Sequence, residues 1–589
     1  MCVYNRRLTS QLSLISDGKT RMVLKEGSSS GETWIREIDA AERAKQKNDR
    51  AWKFVLDQIF VAGDRRSVKE CVYRGEGNAN LVLALPCERK VVRFRKSLPG
   101  KADPDGGEAR TRQENQFLRV VILRFLGEYV QPPEIIRGRP EDMALLSEAI
   151  RSLRPESRRG KDIVEEYVTK YVDYAFLPAK LTDSLQHYHC SRPTFCVEIK
   201  PKQGFRHESD EQFQRCTYCL TQYSKMNSGV IKSRSTYCPF DLFSGDAERM
   251  KKSIHGLLQS PQNNLRIFKN GNIIYDCNSN PDDLEYILGE WFVASRYRSM
   301  EQYLKIFVRL VSTALLREFH HTPMNESAYC PLTRISSQDC DNETRIEQEL
   351  VVKAKKLLYL SDYECNFIGG DLLPDSVLGR IRRMQQLPYY STDIVYKIYL
   401  KYIRIWNDNS IYSGMIRMHS SKKNELPIRS EELCERCESA RTKDASSAAY
   451  SSVNPSESTN TLKPKIPGKN GNNSTASADF RSNKLDRNLD ETEGEINIAI
   501  TNDELRALQN YLLATTAKDC SILMAFQEID SACIPNVAEP NVVETDQLSF
   551  LVNVGILDVD PKSIHCIKKH RKRDINVLVS VTKILEKEV

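Results

Sequence analysis

The chain has 589 residues, of which 40% are hydrophobic, 8% aromatic and 28% charged, which rules out a wholly disordered chain, a small scaffold or a fibre. Its 86 Lys and Arg against 79 Asp and Glu leave a net charge of +7, too small an excess to argue for an anionic partner unless it is locally clustered. Seventeen cysteines, an odd number spread over a long chain, fit a reducing compartment with mostly free thiols and no structural disulfides.

Residues 1–62 read as a polar extension with one charged helix, EIDAAERAKQKNDRAWKFVLDQIF, and Arg6, Arg7, Lys19 and Arg21 interrupt any export signal. Residues 63–185 alternate strand patterns (NLVLAL, VVRFRK) with helical ones (QFLRVVILRFLGEYV), as in an α+β lobe. Residues 186–438 hold the strand FCVEIKPKQGF and then, from Met300, a helical subdomain with apolar residues three and four apart in QYLKIFVRLVSTALL and STDIVYKIYLKYIRIW. Tyr303 to Leu316 is too short, and too charged at Lys305 and Arg309, to cross a bilayer. Residues 439–494 are rich in Ser, Asn, Lys and Asp and too poor in apolar residues to offset their ordering entropy, so a disordered insertion is expected. Residues 495–589 resume as a capped helix, an apolar strand, and a second strand, QLSFLVNVGILDVD, ending in two carboxylates. The basic run IHCIKKHRKR, Ile564 to Arg573, suits a solvated face or a nuclear-import signal.

Five short stretches carry chemistry. In YRGEGNANLVLAL, Gly75 and Gly77 precede a strand, as in a loop whose backbone N–H groups approach phosphate, or in an ordinary hairpin turn. No Gly-Lys-Ser or Gly-Lys-Thr follows, so it is not a Walker A loop, and the period of two in VVRFRK puts Arg93 and Arg95 on one face. In FCVEIKPKQGF the same period puts Glu198, Lys200 and Lys202 together, one acid and two bases that are costly to bury without a partner or ligand. In SPQNNLRIFKNG, Asn263, Asn264 and Arg266 offer amides and a guanidinium suited to phosphate, or simply a polar turn. Asp519 in TAKDCSILMAF and Asp558 and Asp560 in VGILDVDPKSI stand at strand ends, where carboxylates hold magnesium or orient a hydroxyl, or cap a turn.

Taken in order, GEGNANLVLAL, CVEIKPKQGF, YCPFDLFSGD, SPQNNLRIFKNG, AKDCSI and LDVDPKS closely resemble the inositol-pentakisphosphate 2-kinase family. The resemblance spans about 72–126, 175–292 and 505–562, and excludes the N-terminal extension and the Ser-rich insertion. It implies an α+β, two-lobed, distantly protein-kinase-like fold with ATP between the lobes and helical additions in the C-lobe. The implied enzyme is a phosphotransferase with an alcohol acceptor, moving the ATP γ-phosphate to the 2-hydroxyl of inositol 1,3,4,5,6-pentakisphosphate to give the hexakisphosphate and ADP. The alternatives are a non-catalytic polyphosphate-binding scaffold or a kinase of another inositol phosphate.

By resemblance, Glu76, Gly77, Asn78 and Ala79 form the loop over the ATP phosphates, Arg93 contacts ATP, and Glu198 and Lys200 face the nucleotide. Lys202, Lys225, Asn263, Asn264 and Lys562 hold substrate phosphates, Arg266 lies near the transferred group, Asp519 orients the 2-hydroxyl with Lys200 as its catalytic companion, and Asp558 binds magnesium with Asp560. The sequence departs from the family where Thr217 replaces a basic residue, Thr221 a histidine, and Cys566 and His570 a basic and an aromatic substrate contact, so Arg215, Lys568, Lys569 or His570 would have to serve. Some members hold a structural zinc, for which Cys434 and Cys437 supply half a ligand set or a pair of free thiols; Cys216 and Cys219 lie in an expected helix. The resulting expectation is a monomer using ATP, magnesium and inositol pentakisphosphate, with no specific nucleic-acid or membrane binding, in nucleus and cytoplasm.

Overall fold

In the computed structural model of the protein, the structure describes residues 72–183, 192–206, 213–292, 299–319, 345–360, 365–370, 372–406, 408–420, 500–530, 539–545 and 548–588. The expected N-terminal helix, the Ser-rich insertion, Cys434 and Cys437 lie outside the described residues. The chain divides into two compact units, one of residues 1–87, 92–107 and 136–168, the other of 88–91, 108–135 and 169–589.

The first unit holds most of a six-stranded sheet. Its strands are β1 (Val72–Glu76), β2 (Asn80–Leu85), β3 (Lys90–Ser97), β4 (Glu134–Arg137), β5 (Asp162–Ile163) and β6 (Tyr167–Val172), in the order β1-β2-β3-β6-β4 with β5 paired to β3. The period-two pattern of β2 and β3 sends Leu81, Leu83, Val92 and Phe94 inward against Met143 and Leu146 of helix α1 (Pro140–Ala149). Arg93 and Arg95 share the opposite, half-buried face of β3, as alternation requires.

The second unit carries a sheet of order β11-β12-β10-β7-β8-β9, comprising β7 (Phe195–Ile199), β8 (Leu265–Lys269), β9 (Asn272–Tyr275), β10 (Ser521–Ile529), β11 (Val542–Glu544) and β12 (Ser549–Leu557). All five residues of β7 and all nine of β10 are buried, which explains why their sequences read as near-continuous apolar runs. Around it pack α2 (Thr217–Asn227), α3 (Ala247–Gln259), α4 (Met300–Leu316), α5 (Val377–Gln385), α6 (Asn502–Lys518) and α7 (Cys566–Glu588). Ser299 and Gln302 form a capping box at the start of α4, and Thr501 and Glu504 another at the start of α6. The expected membrane-incompatible segment is α4, and among the described residues no helix is long and apolar enough to cross a membrane.

Antiparallel register decides what this sheet presents at one end. β7 pairs with β10 and β8 (Ile199 opposite Ile522 and Leu265), and β10 pairs with β12 (Ser521 opposite Leu557). The end of β7, the start of β8, the start of β10 and the end of β12 therefore meet, bringing Lys200, Asn264, Asp519 and Asp558 to one edge from four distant stretches of chain.

Candidate functional site

At that edge two ion-paired groups form. Asp558 follows β12 in a left-handed conformation (φ +62°), and its Oδ2 accepts from Lys200 Nζ and from Ser521 Oγ, each at 2.8 Å. Asp519 caps the C-terminus of α6, with Lys202 Nζ 3.3 Å from Oδ1 and Lys562 Nζ 3.0 Å from Oδ2. Burial alone would raise the Asp519 carboxyl, but Lys562 and Lys202 outweigh it and hold the group down to about 2. Lys200 likewise overcomes burial to depress Asp558, while Asp558 and Glu198 hold the Lys200 ammonium above its ordinary range against its own desolvation. Arg266, opposite Glu198 in register, places Nη1 3.3 Å from its Oε2.

The alternation expected of Glu198, Lys200 and Lys202 ends at Ile199, where β7 stops. Lys202 reaches Asp519 because it adopts φ +63° in a turn whose every anchor is buried. Tyr237 donates to the Pro201 carbonyl at 2.6 Å, and Gln385, fully buried at the end of α5, donates to the Lys202 carbonyl at 2.8 Å and accepts from Gly204 N at 2.8 Å. The same Gln385 amide donates to Ala517 O at 3.2 Å, two residues before Asp519. Gly204 is required here, since a Cβ would lie 2.1 Å from the Phe243 ring. Sequence reasoning missed Gln385, whose position relative to the turn is set only by tertiary packing.

Beside this edge opens a cavity of about 1880 Å³. Its walls carry eight lysines and arginines against four aspartates, so the chain's modest excess of charge is concentrated where an anion would sit. Lys202, Lys225, Asn263, Asn264, Asp519 and Lys562 all line it, and so do the replacements Thr217, Thr221, Cys566 and His570. Lys225 donates to Gln262 Oε1 at 2.8 Å, and burial, then Lys202, lower its ammonium. Asn264 is buried, donating to Tyr218 OH at 2.8 Å and accepting Lys200 N on its carbonyl, so it fixes the edge as much as it lines the cavity. Of the basic run at 564–573, His570, Arg571 and Arg573 belong to the cavity wall, whereas Lys568 and Lys569 are exposed and do not line it.

In the first unit, the turn Gly77–Ala79 is closed by Gly77 N to Asn80 O and Lys96 N to Ala79 O, both at 2.8 Å. The Glu76 carboxylate points inward, 1% exposed, and is enclosed by Lys96 and by Arg154 (Nε to Oε1 2.9 Å, Nη2 to Oε2 3.0 Å). Lys96 Nζ also donates to Gly77 O at 2.6 Å. Glu76 thus anchors the turn internally, leaving its outer backbone to approach a ligand; Lys96 and Arg154 gave no separate signal in the sequence.

The second unit also contains a buried cluster of four cysteines, Cys216, Cys219, Cys238 and Cys365, whose Sγ atoms all lie within 4.8 Å of one another. Cys216 is the N-cap of α2 and Cys219 its third residue, so the pair expected inside a helix instead straddles its start. Cys238 Sγ lies 3.9 Å from Cys365 Sγ, close to the ~3.8 Å edge of a tetrahedron with zinc–sulfur bonds near 2.3 Å. Burial drives Cys216 up, whereas hydrogen bonds from Cys216, Cys219 and Cys238 drive Cys365 down; a dication would hold all four as thiolates. Backbone N–H groups of Cys219 and Cys216 donate to the sulfurs of Cys216 and Cys365, both at 3.3 Å, a further feature of thiolate metal sites. The donor set and its closure fit a structural metal.

The pattern of the inositol-pentakisphosphate 2-kinase family matches residues 73–576. The chain is 34% identical over 233 residues to the inositol-pentakisphosphate 2-kinase of Danio rerio, covering 36% of this chain and 46% of that protein. It is 28% identical over 348 residues to the Drosophila melanogaster protein of the same name, covering 43% and 55%, and 27% identical over 248 residues to that of Arabidopsis thaliana, covering 36% and 54%. The aligned chain spans about half the length of these relatives. A match across residues 73–576 of 589 makes the chain a member of the inositol-pentakisphosphate 2-kinase family.

Proposed function

We propose that the chain transfers the γ-phosphate of ATP to the 2-hydroxyl of inositol 1,3,4,5,6-pentakisphosphate, with its two units as the lobes of a distantly protein-kinase-like fold. The observation that carries this reading is Asp519, a carboxylate kept ionised by Lys202 and Lys562 at the rim of a cation-walled cavity. Five phosphates bring roughly −8 to −10 of charge, which such a wall is suited to receive. The names of the relatives support the substrate.

Asp519 orients the attacking hydroxyl and takes its proton as the oxygen–phosphorus bond forms and the bridging oxygen leaves with ADP. A carboxylate at about 2 is a weak base, so its part is positioning, with proton transfer late in a loose transition state. Lys200 and Arg266 offset charge on the transferring group, and the backbone of Gly77–Ala79 binds phosphate oxygens of the nucleotide. Asp558 fits magnesium: Lys200 and Ser521 both engage its Oδ2, leaving Oδ1 for a hard cation, and Asp560 stands two residues on. Magnesium, when bound, neutralises charge on the ATP phosphates. The four cysteines would hold zinc in a structural role, bracing the start of α2 against Tyr237, which bonds the Pro201 carbonyl.

The test is incubation of purified protein with ATP, magnesium and inositol 1,3,4,5,6-pentakisphosphate beside Asp519→Ala and Lys200→Ala. Hexakisphosphate from the wild type and loss in both variants is expected. Tight binding without product in the wild type would replace the kinase reading with a polyphosphate-binding scaffold.

A further inference from the structure

The stripe of α2 that faces the cavity runs Thr217, Thr221, Lys225, each four residues after the last. Thr221 turns its hydroxyl back to the Thr217 carbonyl at 2.7 Å, and the charge of this stripe is that of Lys225 alone. Lys202 and Lys562, which line the same cavity, are both ion-paired to Asp519. Lys225 has no carboxylate partner among the described residues and donates instead to a neutral amide oxygen, Gln262 Oε1, at 2.8 Å. Its own carbonyl accepts Val230 N at 2.9 Å and Ser228 Oγ at 3.1 Å, which fixes the backbone from which the side chain reaches out.

Gln262 is the first central residue of the turn Pro261–Asn264 that leads into β8. The turn is closed by Asn264 N to Pro261 O at 2.8 Å, and Gln262 takes φ +44°, where such turns favour glycine. Its side chain gives a reason for a residue other than glycine there: Nε2 donates to Gln222 Oε1 at 2.8 Å while Oε1 accepts from Lys225. The direction of this relay is set at both ends. The Ser235 backbone N–H, 3.4 Å from Gln222 Oε1, can only donate, and so can the Lys225 ammonium, so turning either amide over would set donor against donor. Gln222 is itself buried in α2, and the relay therefore runs from the interior to the cavity wall.

We propose that Gln262 is a positioning residue for the proposed reaction, aiming the Lys225 ammonium at a phosphate of the substrate without neutralising it. The inference rests on the reading of this cavity as an inositol polyphosphate site. A carboxylate in the same place would hold Lys225 as firmly but would cancel the charge that attracts the phosphate. An apolar side chain would leave the ammonium at the end of a flexible four-carbon stem. The neutral acceptor gives orientation and keeps the charge. Because Thr217 and Thr221 bring none, whatever electrostatic affinity α2 side chains supply at this wall depends on this one ammonium.

The experiment is calorimetric titration of inositol 1,3,4,5,6-pentakisphosphate into the full chain without ATP, comparing wild type, Gln262→Met, Lys225→Met and the double variant. Gln262→Met is expected to weaken binding roughly 5–20-fold and Lys225→Met roughly 10–100-fold. The double variant should bind no more weakly than Lys225→Met, because a residue that acts through Lys225 then has nothing to act on. Losses that multiply, or unchanged binding by Gln262→Met, overturn the inference and leave the polyphosphate reading standing; no binding by the wild type overturns both. Gln262→Glu covers the case in which the methionine variant misfolds. It keeps the shape and the acceptor for Lys225, so a merely structural Gln262 predicts binding like that of the wild type, whereas neutralisation of Lys225 predicts a loss at least as large as that of Gln262→Met. Wild-type affinity in Gln262→Glu overturns the proposal.

Discussion

Gln385 and Lys202 are joined by a 2.8 Å hydrogen bond from a fully buried side-chain amide to the carbonyl of a residue held in a left-handed turn. Because the same amide nitrogen also reaches Ala517 O, one side chain sets the distance between the lysine and the carboxylate it pairs with. Replacing Gln385 by Leu removes two donor contacts and the acceptor for Gly204 N, leaving buried backbone groups unpaired at a cost of about 1–3 kcal/mol each. The expected outcome is a fall in kcat for the proposed reaction that exceeds any rise in KM for ATP, together with the appearance of an acid limb, absent from the wild type, as Asp519 loses Lys202. A lower melting temperature with no new acid limb would reduce Gln385 to a packing residue.

Lys562 offers a more direct probe of Asp519. The folded pKa of Asp519 lies below its unfolded value, so the stability it contributes is present above about pH 4 and is lost as pH falls toward 2. In the wild type this carboxylate should therefore impose no acid limb on kcat at any pH where the protein stays folded. Lys562→Met removes the nearer cation, and the Asp519 pKa should climb by ~1–2 units, bringing a limb into view below about pH 5. A kcat profile of Lys562→Met parallel to that of the wild type would show that Asp519 is not the titrating group.

The four-cysteine cluster predicts metal content independently of catalysis. Purified protein should carry one zinc per chain by elemental analysis, and Cys238→Ser or Cys365→Ser should lose it. A structural zinc contributes on the order of 10 kcal/mol of binding free energy that is also folding free energy, so chelation should lower the melting temperature measurably. Since Cys216 begins the helix that carries Lys225, the chelated protein should also bind inositol polyphosphate more weakly while its affinity for ATP changes less.

What was legible in the sequence was mostly local. Strand ends followed from apolar runs, and the resemblance drew attention to Glu198, Lys200, Asp519 and Asp558 before register brought them to one edge. The period of two failed at Lys202 because β7 ends three residues earlier and a left-handed turn redirects the side chain. Cys216 and Cys219 were visible as a pair, but Cys238 and Cys365 join them only after α2 and the segment before α5 fold, and no spacing rule reaches that far. Glu76, expected in the loop over the nucleotide phosphates, has a side chain engaged by Lys96, Arg154 and the Tyr73 hydroxyl, and Arg154 lies 78 residues away in sequence.

That last triad yields a stability prediction within the first unit. Glu76, Lys96 and Arg154 are each 1% exposed or less at the side chain, so their charges are compensated chiefly by one another and by backbone carbonyls, with Asp162 Oδ1 3.6 Å from Arg154 Nη1 and the Tyr73 hydroxyl donating to Glu76 at 3.2 Å. Glu76→Gln keeps the shape and removes the anion, leaving two cations in a low-dielectric interior at a cost of roughly 3–5 kcal/mol. Adding Lys96→Met to Glu76→Gln relieves part of this, because one of the stranded charges goes with it, whereas Lys96→Met alone leaves Glu76 still paired to Arg154 through two bonds. The expected order of denaturation midpoints is wild type, then Lys96→Met, then the double variant, with Glu76→Gln lowest. A Glu76→Gln midpoint equal to that of the wild type would mean that the pair is solvated in solution and that the turn at Gly77 is held by its backbone bonds alone.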